Sequence, residues 1–252
     1  MNRFLLAAAA TLIAGQAAAA DLRICVEGAY PPFSEVTASG ELKGFDIDMT
    51  GALCDQMGKS CEMVQTEWDG IIPALLERKC DAIIASMSIT EDRKKVIDFT
   101  SKYYQTPAKF IGAADAGLTD TAEGMAGKTV GVQRGTTHQD FMESEFPDVD
   151  LKLYGTQDEA YLDLQAGRID AIMADSVAMN DGFLQTENGK GYAFFGADYS
   201  IPKYHGEGAG IGVRQSDTEL RDSFTAAIDA LRSSGKYKEI NDKYFDFDIY
   251  GG

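Results

Sequence analysis

Residues 81–93 read DAIIASMSITEDR. Ala82–Ala85 is an unbroken apolar run, the pattern of a parallel strand covered on both faces. Ser86 and Ser88 then stand at its carboxyl end, where open α/β sheets bind ligands. Thr90, followed by Glu91 and Asp92, caps a short helix. Arg93 falls on the first turn of that helix, within reach of the strand end. Backbone N–H groups, two hydroxyls and a planar guanidinium together form a site for a small carboxylate. The plainer reading is a strand–turn–helix joint with a solvated arginine, and this segment alone does not separate the two.

The stretch has an echo. RKCDAIIAS (78–86) and GRIDAIMAD (167–175) superpose without a gap, each after an apolar helix. Ser86 and Asp175 therefore occupy equivalent strand ends in two similar units. The openings correspond as well. Strand Leu22–Val26 leads into Glu27–Gly28, and strand Thr129–Val132 into Gln133–Arg134–Gly135. In the first unit the spacing predicts a turn or hairpin over 33–44 and a helix over Phe45–Met57, with Phe45, Met49, Leu53 and Met57 on one face. Strand Cys61–Gln65 follows, then helix Trp68–Arg78 with Ile71, Leu75 and Leu76 facing inward. In the second unit, Ala108–Ile111, Leu151–Tyr154 and Ile169–Ala174 read as strands, with helices opening at Thr136–Thr137 and spanning Gln157–Ala166. A helix and loop then run to Ile201–Gly206, and helices Thr218–Ser234 and Lys236–Tyr244 close the chain.

This βα alternation predicts an α/β protein with mostly parallel sheets flanked by helices. Two βαβ lobes, each offering strand ends, imply a ligand in the cleft between them. Crossings near 105–108 and 201–206 would form the hinge. The expected division is 21–105 with 206–252 in lobe 1, and 106–205 in lobe 2.

The chain begins MNRFLLAAAATLIAGQAAAA: a basic start, an apolar run and small residues at the end. That predicts a cleaved signal peptide over residues 1–20, too short and alanine-rich for a membrane anchor. The mature protein would start at Asp21 and work outside the cytoplasm. Losing Arg3 takes the formal charge from −17 to −18. So acidic a surface argues against nucleic acid or an anionic membrane as partner.

Four cysteines are available to oxidise after export: Cys25, Cys54, Cys61 and Cys80. Cys54 and Cys61 flank QMGKS, where Gly58 can end a helix before a strand, and are the expected disulfide. With Cys25 level with Ile83 or Ile84, Cys80 falls about three residues further down, roughly 10 Å at ~3.3 Å per residue. That exceeds the ~7 Å limit for a bridge, so the pair is read as separate buried thiols. With no C-x-x-C and two histidines, neither a metal nor another cofactor is expected.

The remaining polar residues match a zwitterion. Arg93 suits a carboxylate, and Thr136 and Thr137 at a helix start offer N–H groups to the same anion. Asp175 suits an α-ammonium, with Ser88 adding an acceptor. Tyr30 and Trp68 follow strand ends and are placed to sandwich a side chain, although such aromatics are more often core. Glu27 would face the ligand's far end, where a dry pocket demands a cationic partner. A cation between the two aromatics would gain further attraction. His138 would touch the ligand or merely cap its helix, and His205 is given no role.

EGAYPPF, LKGFDID, CDAIIASMSITEDR, VGVQRGTTH, GRIDAIMADS and KYFDFDIYGG together resemble the periplasmic amino-acid-binding proteins of ABC importers, solute-binding protein family 3. The match runs from about Leu22 to Gly252 and is nearest the lysine/arginine/ornithine- and histidine-binding branch. The resemblance implies the two-lobed periplasmic-binding-protein fold, type II. It implies no catalysis, a monomer, and delivery of an amino acid to an inner-membrane permease. Carried onto matching positions, it assigns the ligand carboxylate to Arg93 and to the N–H groups of Ser88 and Thr137. It assigns the α-ammonium to Asp175, Ser88 and the Ser86 carbonyl. Tyr30 and Trp68 flank the side chain, Glu27 and His138 reach its tip, and Cys54–Cys61 matches a disulfide of that branch.

Several positions depart from the branch. Glu27 stands where aspartate is common, and Trp68 where a smaller or phenyl side chain is. Ala85, Gln133 and His138 replace serine, leucine and glutamine. Glu27 with WDG at 68–70 is also similar to opine-binding relatives, whereas Asp175 favours a free α-ammonium. Arginine, lysine or ornithine is expected, with histidine or an opine as alternatives. A cyclohexadienyl dehydratase-like enzyme using Glu27 as acid or base, and a sensor that hands ligand to a chemoreceptor or kinase, are the rival classes.

Overall fold

A computed structural model describes residues 20–251. The signal peptide expected over residues 1–20 lies outside them, save for Ala20. The first unit runs β1 (Leu22–Val26), β2 (Ala29–Tyr30), β3 (Ser34–Val36), β4 (Leu42–Lys43), α1 (Phe45–Met57), β5 (Cys61–Gln65), α2 (Trp68–Leu76), β6 (Ala82–Ile83), α3 (Glu91–Lys94) and β7 (Asp98–Tyr104). The second runs β8 (Ala108–Ala113), α4 (Ala122–Met125), β9 (Thr129–Gln133), α5 (Thr137–Glu145), β10 (Asp150–Tyr154), α6 (Gln157–Gln165), β11 (Ala171–Asp175), α7 (Ser176–Met179) and β12 (Tyr192–Tyr199). After α8 (Pro202–His205), β13 (Ala209–Val213) and helices α9 (Thr218–Ser234) and α10 (Lys236–Tyr244) return to the first unit.

Two five-stranded sheets carry the molecule, ordered β5-β1-β6-β13-β7 and β10-β9-β11-β8-β12. Strands β5, β1 and β6 are mutually parallel, as are β10, β9 and β11. In each sheet one strand opposes the rest, β13 in the first and β8 in the second. These are the strands that follow a crossing between sheets. A strand entering from the junction must run away from it, against strands that end there. At the second crossing Gly206 has φ +69, and a Cβ there would lie 2.0 Å from the Ile89 carbonyl oxygen, so only glycine lets the two backbones meet.

Helical periodicity accounts for the packing. Phe45, Met49 and Leu53 of α1 are fully buried against Ile24, Val26 and Tyr103. Phe224, Ala227, Ile228 and Leu231 of α9 recur at i, i+3, i+4 and i+7 and seal the same core. Leu76 does not face inward as expected. It is 45% exposed, because Leu75 takes the inner position and the next residue is turned 100° round the helix. Strand β12 lies in a segment read above as helix and loop. Its YAFFGADY alternates poorly and pairs only along β8, so the sequence pattern there is weak.

Both cysteine pairs are bonded, Cys54–Cys61 with a Cα separation of 6.2 Å and Cys25–Cys80 with one of 5.7 Å. The second bond corrects the reading of separate thiols. Cys25 does pair with Ile83. However, β6 begins only at Ala82, and the chain bends at Asp81 instead of continuing as extended strand back to Cys80. Arg214 Nη1 holds the turn by donating to the carbonyls of Leu75 (2.9 Å) and Cys80 (2.7 Å). Strand spacing therefore does not apply between Cys80 and β6.

Candidate ligand-binding cleft

Hydrogen bonds link the two units across a cleft. Gln133 Nε2 donates to Glu27 Oε1 at 2.6 Å, and Arg134 Nη1 to Asp69 Oδ2 at 2.6 Å. Trp68 Nε1 and Arg93 Nη2 both donate to the Gly135 carbonyl, at 3.3 and 3.2 Å. Two adjoining cavities lie beneath. Glu27, Trp68, Arg93 and Gln133 line the first, Asp175 and His205 the second, and Tyr30, Ser86, Ser88, Thr137 and His138 line both. Thr136 lines the first as well, so the ligand-site residues singled out from the sequence are gathered around one cleft.

The DAIIASMSITEDR segment builds its near wall. Beyond β6, Ile84 N–H still reaches the Cys25 carbonyl at 3.0 Å. Ser86 then takes φ 55, a left-handed conformation unusual for a residue with a Cβ. Two groups hold it there. Tyr103 OH accepts its N–H at 3.0 Å, and Asp46 Oδ2 accepts its hydroxyl at 2.9 Å. Tyr103 in turn donates to Asp46 Oδ1 at 2.8 Å. The Ser86 side chain is thereby turned into the core. Burial pushes the Asp46 carboxyl up to about 7, against the lowering by its two hydroxyl donors.

Thr90 caps α3, its Oγ1 accepting from Arg93 N–H at 3.3 Å. The Arg93 guanidinium folds back to donate to the Ser88 carbonyl at 2.9 Å and lies 5.3 Å above the Trp68 ring. Burial lowers its pKa to about 10, which leaves it cationic at neutral pH. Opposite, Thr136 caps α5, so the first-turn N–H groups beginning at Thr137 face the cleft floor.

Asp175 ends β11 and caps α7, its Oδ1 accepting from the N–H groups of Val177 (2.8 Å) and Ala178 (3.1 Å). Thr106, on the crossing, donates to its other oxygen. Burial still raises Asp175 to about 6, and raises Glu27 to about 7. Both acids bind protons more readily than they would in water because burial desolvates them. A cation beside either would reverse that.

His138 is held neutral by burial, with a pKa near 3, and its Nδ1 has no partner among the described residues. His205 faces it with ring centroids 6.1 Å apart, accepting from Ile201 N–H through Nδ1 at 3.2 Å. His205 received no role from the sequence, yet it lines the second cavity. Asp46, Tyr103, Thr106 and Gln133 were missed as supporting residues. An acid at a helix start, as in Phe45–Asp46, reads in sequence as an ordinary response to the helix dipole.

Residues 22–247 match the model of the bacterial extracellular solute-binding proteins, family 3. The chain belongs to this family. It is 53% identical over 232 residues to an L-arginine-binding protein of Pseudomonas aeruginosa, covering 91% of this chain and 90% of the relative. It is 40% identical over 232 residues to the lysine/arginine/ornithine-binding periplasmic protein of Escherichia coli, covering 91% of this chain and 89% of the relative. Among solved structures, a Salmonella typhimurium periplasmic binding protein described for its high arginine specificity superposes with a TM-score of 0.82. That pair shares 30% identity over 89% of this chain and 98% of the other. These relatives of the solute-binding protein are named as binders and not as enzymes, and their two-lobed architecture is the one described above. Among its described residues no helix is long and apolar enough to cross a membrane.

Proposed function

We propose that this solute-binding protein is the periplasmic receptor of an ABC importer for a basic amino acid: arginine, lysine or ornithine. One observation carries the reading. A cationic guanidinium, Arg93, and two desolvated acids, Asp175 and Glu27, converge on a single interlobe cleft. Such a charge pattern is neutralised by a zwitterionic head plus one further positive charge. Arg93 and the N–H groups of Ser88 and Thr137 take the ligand carboxylate. Asp175, Ser88 and the Ser86 carbonyl take the α-ammonium, Tyr30 and Trp68 flank the side chain, and Glu27 and His138 meet its tip. The names of the arginine- and lysine-binding relatives support the same ligand class.

The mature chain begins at Asp21 after export, with lobe 1 over 21–105 and 206–252 and lobe 2 over 106–205. Ligand touching both lobes favours their closure by population shift, and the closed monomer presents its cargo to the permease. The test is thermal unfolding of protein stripped by denaturation and refolding, with L-arginine, L-lysine, L-ornithine, L-histidine, L-glutamine and octopine added singly. At a hundredfold excess over Kd a true ligand stabilises by about 2.7 kcal/mol. Shifts with the basic amino acids alone are expected. A shift with octopine or glutamine alone, or with none of the six, overturns the reading.

A further inference from the structure

The Gln133 side chain is buried in lobe 2, at the end of β9, and both hydrogens of its amide are committed. One goes to Glu27 Oε1 at 2.6 Å, the other to the Gly155 carbonyl at 3.1 Å. This fixes which end of the amide is which. Reversed, the Gln133 oxygen would oppose a carboxylate and a carbonyl, two acceptors facing an acceptor. Two oxygens are left over. Among the described residues no donor meets Glu27 Oε2 or Gln133 Oε1, and neither atom is sealed from the adjoining cavity.

We propose that Gln133 is a positioning and specificity residue that holds the Glu27 carboxylate across the cleft in one orientation. The pair then presents two acceptors, one from each lobe, to a guanidinium. This rests on the basic-amino-acid reading and adds a choice within that class. A guanidinium carries five N–H donors in one plane and can meet two separated acceptors at once. An ammonium projects three donors from a single atom and fits such a pair less well. Arginine is therefore preferred over lysine, and the preference depends on Gln133.

The same bond sets the pH response. Burial raises Glu27, Gln133 opposes that rise, and Asp46 on α1, Asp158 on α6 and Asp69 on α2 add to it. Arg93 on α3 and His138 on α5 line the same cavity, the first cationic and the second neutral. Without Gln133 the carboxyl holds its proton to higher pH. Affinity for a cationic ligand then begins to fall at higher pH on acidification.

The experiment is calorimetric titration of L-arginine and L-lysine into wild type and Gln133→Leu between pH 6 and 9. At pH 8, Gln133→Leu should weaken arginine about tenfold and lysine less than threefold, with the acid-side fall of affinity displaced upward. An unchanged arginine/lysine ratio, or a fall at the same pH as wild type, overturns the proposal. Gln133→Met, apolar and close in volume, replaces the leucine variant if that one does not fold. Stability against pH is also measured on both ligand-free proteins. If wild type binds neither amino acid, the functional reading has failed. The ligand-free curves then judge the tether: superposed profiles overturn it, and a displaced profile sustains it.

Discussion

Asp46 offers the cleanest test of how the cleft is held, because it supports Ser86 without lining either cavity. Its carboxylate is fully buried and accepts from Ser86 Oγ and Tyr103 OH. The pKa rises from 3.8 to about 7, chiefly through burial. A folded-state pKa above the unfolded value means the native protein holds the proton longer. The stabilisation is complete below about pH 4 and is lost as pH rises through 7. At 1.36 kcal/mol per unit the loss is about 4 kcal/mol. Asp46→Asn keeps the shape without the charge. One hydroxyl must turn to accept from the new amide, at about 1 kcal/mol. Near pH 4 the variant should therefore be slightly less stable than wild type, and at pH 8 more stable by about 3 kcal/mol. Urea denaturation of both ligand-free proteins across this range measures the difference, with Glu27 titrating somewhat lower in the variant because the Asp46 charge that raises it is gone. Parallel curves, with Asp46→Asn the weaker at every pH, would show that Asp46 is charged in the fold and would refute the reasoning.

Other outcomes are equally concrete. Arg93→Ala should weaken all amino acids by at least about a hundredfold in calorimetry, because it strips the partner from a desolvated carboxylate. Glu27→Gln should weaken cationic ligands far more than neutral ones, and equal losses would remove Glu27 from the side-chain tip. Loop-closure entropy for sequence separations of 55 and 7 predicts losses of about 4 kcal/mol for Cys25→Ala/Cys80→Ala and about 2 kcal/mol for Cys54→Ala/Cys61→Ala in urea denaturation. The reverse order would contradict that account. The Arg134–Asp69 bridge across the cleft is half exposed, so Arg134→Ala should reduce affinity less than fivefold, with the effect gone in 1 M salt. A larger or salt-independent loss would mean that the bridge governs closure.

Much of this protein is written locally. Apolar periodicity gave α1, α9 and α10 their bounds, because a helix facing a core must repeat its buried residues every three to four positions. The echo between 78–86 and 167–175 placed Ser86 and Asp175 at strand ends on opposite sides of one cleft, since strand direction and register follow from the βαβ order. Composition and periodicity could not give the contacts between residues far apart in the chain. Cys25 and Cys80 are joined because the chain bends at Asp81 just before β6, a backbone choice that no spacing rule encodes. Ser86 is held left-handed by Asp46 and Tyr103, forty and seventeen residues away. Glu27 meets Gln133 across a separation of 106 residues. Each depends on where burial removes water from a polar group and which distant partner is then close enough to replace it. That is a property of the packed molecule, and it is also what sets the charge of the cleft.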